Sequence, residues 1–238
     1  DLAASQYRKG VANSAWYDRF VLMHMSDNHL GYDFAVQNLI ELRNLANNVT
    51  FDAIVNSGDL TDAGGSSYSR SNTNSEFSKF TSELTNKVKS TIPVLVTLGN
   101  HDSNDPSNAL IANAYTKSDQ WTNVFSPIAT KFPSIVWGNS QNYCHYSYLD
   151  ITKGNYVLRV ITLDSLDHTD YASGSSSYVG IACEVYSQAQ MNWLCNVALN
   201  VPSGNYGIII NNHFPFAPDR ANYSEEWPAL KDGSFAQG

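Results

Sequence analysis

Residues 92–102 read Ile-Pro-Val-Leu-Val-Thr-Leu-Gly-Asn-His-Asp. The apolar part is the run of a strand buried on both faces, rich in Val, Ile and Leu without polar alternation. It gives way at once to four turn-type or ionisable residues, Gly99, Asn100, His101 and Asp102. A buried strand that needed only to turn would not end on an amide, an imidazole and a carboxylate in a row. Working outward, three more strand-like runs end in the same manner. Residues 20–25 lead to Asp27-Asn28-His29, residues 51–56 to Gly58-Asp59-Leu60-Thr61-Asp62, and residues 206–211 to Asn212-His213-Phe214-Pro215. Each triplet or doublet alone is weak, since Asp-x-His and Gly-Asp arise by chance and a lone His before Phe-Pro is ordinarily structural. Four strand ends carrying metal-type side chains together are hard to assign to accident.

Helical patterns separate the strands. Ala35, Leu39, Leu42, Ala46 and Val49 form one apolar stripe behind an expected N-cap at Asp33. Phe77, Phe80, Leu84 and Val88 form a second, after Thr73-x-x-Glu76, which has the form of a capping box. Met191, Leu194, Ala198 and Leu199 form a third, after Ser187-x-x-Gln190. All three read as helix faces packed on a sheet. Strands alternating with helices predict an α/β fold with a largely parallel sheet. The exception is residues 143–163, where Lys153-Gly154-Asn155 separates two strand-like runs and predicts a hairpin, with Tyr143, Tyr146 and Tyr148 on one sheet face. The sheets should therefore be mixed. Ser/Gly/Asn-rich pieces at 63–74 and 173–177 read as solvated loops.

The bulk numbers narrow the function. A chain of 238 residues, 42% hydrophobic, suits a single domain over 1–238. A net charge of -8 is a poor match for a nucleic-acid duplex, although bound divalent cations reverse the sign locally and keep phosphorylated substrates in play. No run approaches the roughly 18 apolar residues of a membrane span. Asp1 rather than Met opens the chain, which reads as a processed or trimmed product. Abundant Ser, Asn, Gly and Tyr with few Lys and Arg lean towards a secreted or virion-surface protein. Cys144 reads as simply buried, a Cys183–Cys195 disulfide is an option in an oxidising compartment, and the odd total of three argues against a disulfide framework.

All four clusters fall just past the C-terminal ends of strands, where open α/β sheets place their ligands. Carboxylate, imidazole and amide groups in one site suit Mn, Fe or Zn rather than an all-oxygen Ca cage. His24 reads as packed inside its strand, and His145 and His168 as structural. Asp164 has a turn role, and Asp219, Glu225, Glu226 and Asp232 are poor substitutes for ligands. Trp121, Phe125 and Trp137 are core residues before they are stacking surfaces, and residues 63–74 and 103–133 are the expected specificity loops.

The order Asp-x-His, Gly-Asp-x-x-Asp, Gly-Asn-His-Asp and a strand-terminal His resembles the calcineurin-like metallophosphoesterase family, over nearly the whole chain from Met23 to Pro215. The resemblance implies a four-layer α/β/β/α sandwich with mixed sheets and a hydrolase that splits a phosphate mono- or diester, in a phosphorylated small molecule or a phosphodiester. The reaction would be in-line attack of a metal-bound hydroxide at a two-metal centre. Asp27 and His29 would hold the first ion, Asp59 would bridge, and Asn100 and His213 would hold the second. His101 would face the substrate, positioned by Asp102. The pattern departs in one respect. The family ends on a Gly-His-x-His element that gives each metal one more ligand, and no two of the six histidines form that pair. Truncation at the C-terminus is the favoured explanation, with under-occupied metal sites as its consequence. The rivals are a catalytically inactive binding or structural module that keeps the fold, and a metal-dependent hydrolase of non-phosphate substrates.

Overall fold

The computed structural model describes residues 19–62, 69–103, 115–139, 143–167 and 186–214. The expectations for 173–177, for His168, Cys183 and the acids from Asp219 onward lie outside these residues. The first sheet holds three strands in the order β1 (Leu22–Met25), β2 (Ala53–Asn56) and β3 (Val94–Val96), all parallel. The second holds β4 (Val136–Trp137), β5 (Ser147–Lys153), β6 (Tyr156–Thr162) and β7 (Asn205–Asn211). Its order is β4-β5-β6-β7, with antiparallel pairing up to β6 and parallel pairing of β6 with β7. The hairpin predicted at Gly154-Asn155 joins β5 to β6, and Gly154 takes the positive φ of 57° that such a tight turn requires. The result is the mixed α/β fold expected from the alternation of periods.

Helix α1 (Asp33–Asn48) buries Ala35, Leu39 and Ala46. Helix α2 (Arg70–Phe80) continues as a wider turn through Asn86 and buries Phe77, Phe80 and Leu84 completely. Each such aromatic or aliphatic side chain contributes about 1.5–3 kcal/mol by leaving water. A single cluster joins these helix faces to Ala53, Ile54 and Val55 of β2, to all of β3 and to Leu149, Leu158 and Val160 of the second sheet. Along β6 the side chains alternate. Leu158 and Val160 enter that cluster, while Ile161 and the following Leu163 pack with Trp193, Leu194 and Ala198 of α5 (Gln188–Trp193) and its continuation. The second sheet therefore lies between the shared core and α5. Arg159, pointing to the α5 side, is buried yet fully engaged. It pairs with both Asp150 oxygens at 2.7 Å, donates to the Ala198 carbonyl at 2.9 Å and lies over the Tyr148 ring. Among the described residues no helix is long and apolar enough to cross a membrane.

Several local expectations are corrected. Tyr32, not Asp33, is the N-cap of α1, and no side chain caps that end. Helix α2 starts at Arg70 behind Ser69, whose hydroxyl accepts from Asn72 N, so the loop expected through Asn74 ends at Ser69. Glu76 is not half of a capping box. It is buried and accepts from Asp62 N at 2.7 Å, clamping the loop after β2. The loop expected over 103–133 contains a helical stretch from Lys117 to Lys131, with α3 (Lys117–Gln120) and α4 (Ser126–Lys131) joined by a wider turn. Thr116 and Asp119 close a true capping box there, and Val124, Phe125, Ile128 and Phe132 supply its buried face. Trp121 and Trp137 pack on this core, as expected of them, with Trp121 stacked on Phe125 and Trp137 edge-on to both rings. Tyr146 and Tyr148 do share the Trp193 side, but Tyr143 precedes the strand with φ 49° and is exposed. His24 is exposed instead of packed, with Nε2 2.6 Å from Ser57 Oγ. Cys144 is buried, and His145 is buried against Phe125 beside Asp164. Asp164 takes the turn role, accepting from Leu166 N at 3.0 Å.

Candidate metal centre

The two sheets are joined where their strands end. Asn211, the last residue of β7, donates to the Asn56 carbonyl at 2.9 Å and accepts from Ser57 Oγ at 2.6 Å, and Thr97 Oγ1 donates to the Leu163 carbonyl. These buried polar links bring the tip of β7 to the tips of β1, β2 and β3.

The loop after β1 follows the loop after β2 through main-chain bonds: Asp27 N to Gly58 O at 2.9 Å, His29 N to Asp59 O at 3.1 Å and Leu30 N to Leu60 O at 3.0 Å. The Asp27–His29 segment is not extended, as first read. Asp27, His29 and Asp59 adopt φ of 52°, 43° and 52°. That left-handed region costs a residue with a Cβ on the order of 1–3 kcal/mol and persists only where neighbours over-determine it. Three of the four such residues described are candidate ligands, so the strain is concentrated at this site.

The side chains of the four tips converge on Asp59, which is buried. Its Oδ2 lies 3.8 Å from His29 Nε2 and 3.6 Å from His213 Nε2, and its Oδ1 accepts from His101 N at 3.0 Å. His213 Nδ1 is 2.7 Å from the Ser57 carbonyl, which only accepts, so that nitrogen carries the proton. In the neutral ring Nε2 keeps its lone pair, and it faces Asn100 Oδ1 at 3.0 Å as well as Asp59 Oδ2. Three lone-pair atoms gathered on one point repel one another unless a cation sits among them. On the other side, ligand atoms of His29, Asp59 and His101 all lie within 4.8 Å of one another. Nδ1 of both His29 and His101 is buried without a hydrogen bond. The donor set fits a divalent transition ion.

Asp27 stands apart. Its main chain is fixed at Gly58, but its carboxylate is exposed and bonds Ser26 Oγ. The sequence pattern expects Asp102 to position His101. Its hydrogen bonds run instead to main chain: Gly99 N at 2.9 Å, Thr61 N at 3.0 Å and Leu60 N at 3.2 Å. Burial, with the nearby Asp59 carboxylate, pushes the Asp102 carboxyl up to about 7 against the pull of those three donors. Its visible task is to tie the loop after β3 to the loop after β2. Asp102→Ala would orphan three buried N–H groups at about 1–3 kcal/mol each. We expect Tm to fall by roughly 10 °C or more, and an unchanged melting curve would remove Asp102 from the framework.

One residue near the centre had no role assigned from sequence. Asp62 Oδ1 lies 3.4 Å from His29 Nδ1, as a carboxylate that orients a metal-binding imidazole does. The signal was present in the Gly-Asp-x-x-Asp spacing, but only the fold of that loop brings the second Asp back to the first loop.

With this geometry in view, comparisons place the chain. The profile of the calcineurin-like phosphoesterase family matches residues 20–232. The chain belongs to the calcineurin-like phosphoesterase family. The crystal structure of a dimetal phosphatase from Danio rerio superposes with a TM-score of 0.58 at 14% identity, covering 90% of this chain and 77% of that one. No curated protein matches the chain. Membership supports metal-dependent phosphoester hydrolysis in general, and with it divalent ions and phosphoester substrates.

Proposed function

We propose that residues 1–238 form a single phosphoesterase domain that hydrolyses a phosphate mono- or diester at a two-metal centre. Asp27, His29, Asp59, Asn100 and His213 would hold two ions of the Mn, Fe or Zn type. The observation that carries this reading is the Asp59 carboxylate, buried between imidazoles that come from the two different sheets, His29 and His213. When bound, the ions supply a water acidic enough to attack phosphorus near neutral pH and neutralise the phosphoryl oxygens. The chain does the rest. The main chain of His101 holds one Asp59 oxygen, leaving the other between the two imidazoles. Ser57 fixes the His213 tautomer so that Nε2 is available. Asp62 sits behind His29. The His101 ring, edge-on to that of His29 with centroids 4.8 Å apart, would hold the proton for the leaving oxygen.

The position of His101 among the donor atoms makes it the residue to test. His101→Ala is expected to keep its metal content and lose about 10²–10⁴ in kcat on phosphate esters. Elemental analysis and rates measured on one preparation decide the matter. Loss of metal would make His101 a ligand, and an unchanged rate on every ester would leave the mechanism without its acid.

A further inference from the structure

Beside the centre lies an aromatic pair whose exposure nothing among the described residues explains. Phe34 is 67% exposed, the most of any large apolar residue described, and Tyr32 is 48% exposed. Their rings stack with centroids 5.4 Å apart and planes 22° from parallel. Helix α1 faces its core with Ala35, Leu39 and Ala46, so Phe34 serves no packing there. Tyr32 occupies an N-cap, where Ser, Asp or Asn would satisfy a free N–H, and its side chain makes no capping bond. Isolated exposed apolar side chains are common and need no explanation, but two stacked rings are a prepared flat surface.

The pair is also tied to the metal centre. The Tyr32 hydroxyl lies near the Asp62 carboxylate, which is 3.4 Å from His29 Nδ1, and Tyr32 N approaches the His29 carbonyl at 3.5 Å. Three residues of chain keep Tyr32 within about 11 Å of His29, and the stack holds Phe34 against Tyr32. The carboxylates of Asp33 and Asp62 beside it disfavour an anionic group on the shelf itself, which leaves the phosphate to the metals. On the basis of the phosphoesterase reading, we propose that Tyr32 and Phe34 form the specificity subsite for a planar aromatic ring borne by the phosphate ester, as in an aryl phosphate or a nucleotide.

The ring adds a third layer to the stack with Phe34 as the outer contact. The test is binding of two non-hydrolysable probes, phenylphosphonate and methylphosphonate, to the protein at saturating Mn, by calorimetry. Phenylphosphonate should bind about tenfold tighter, the scale of one stacked ring. Phe34→Ala should erase that preference with methylphosphonate unchanged, and Phe34→Trp should restore it. Because Phe34 faces solvent, these variants keep the core. Equal affinities in the wild type, or a preference that survives Phe34→Ala, overturn the shelf while leaving the metal centre standing. Binding of neither phosphonate overturns the phosphoesterase reading and the shelf with it.

Discussion

Asp59→Asn is expected to empty the metal centre and abolish turnover while leaving the metal-free protein at least as stable as the wild type. The amide keeps the shape of the carboxylate and still accepts from His101 N through Oδ1, so the main chain of the two loops has no reason to move. What disappears is the negative charge between His29 and His213, the only carboxylate within 4 Å of both imidazoles among the described residues. Removing an outer-shell partner typically costs 10–100-fold in metal affinity, and removing a proposed ligand such as Asp59 should exceed that. The stability arm runs in the opposite direction. Asp59 and the fully buried Asp102 are like charges close enough to raise the Asp102 carboxyl. Taking one away relieves repulsion that bound cations would otherwise neutralise. Elemental analysis, phosphate-ester rates and melting curves with chelator check all three statements. A variant that retains both metal and activity would sink the assignment, and one that simply unfolds would make Asp59 a structural residue.

The strands of the first sheet and their chemistry were legible in the sequence for one reason: they are short, largely apolar and interrupted sharply. Ala53–Asn56 and Val94–Val96 are buried along their whole length, so their periodicity has no polar face to confuse it. The polar residues that follow stand out as a change of composition. Caps were less legible because several residues compete for each role. Asp33 and Tyr32 are adjacent, and Tyr32 stands at the cap without a side-chain capping bond. Thr73-x-x-Glu76 has the right spacing, but Glu76 finds a better partner at Asp62 N. The helix over Lys117–Lys131 was hidden by Ser, Thr and Asn on its outer face and by Pro127, which helices accept in a first turn. Least legible was the site's inner arrangement. That Asp102 answers to main chain, and that His29 is reached by Asp62, depends on two loops running side by side through bonds no local pattern encodes.

Gly99→Ala should destroy the same centre by steric means alone. Gly99 begins the Gly-Asn-His-Asp element. A Cβ there would lie 2.1 Å from Asp59 Oδ1, 2.6 Å from Asp59 N and 2.7 Å from His213 Cε1. Two of these atoms belong to candidate ligand side chains and one to the main chain, so no flexible group can swing aside. Gly99 is not among the glycines with positive φ, so alanine incurs no backbone penalty there and the whole effect is displacement of Asp59 and His213. Overpacking of this kind costs about 1–3 kcal/mol in stability, enough to lower the melting temperature without unfolding the chain. The loss of function should be far larger, because a misplacement of about 1 Å at reacting groups can cost 10²-fold and here two candidate ligands move together. Gly154→Ala is the control. Gly154 has φ 57° and nothing within 4 Å of its missing Cβ, so it should lose a little stability through strain and none of its metal. The measurements are calorimetric titration with Mn or Zn, followed by rates on a phosphate ester. Metal binding by Gly99→Ala equal to that of the wild type would mean that Asp59 and His213 do not close on one another at Gly99, and the shared centre of the two sheets would have to be abandoned.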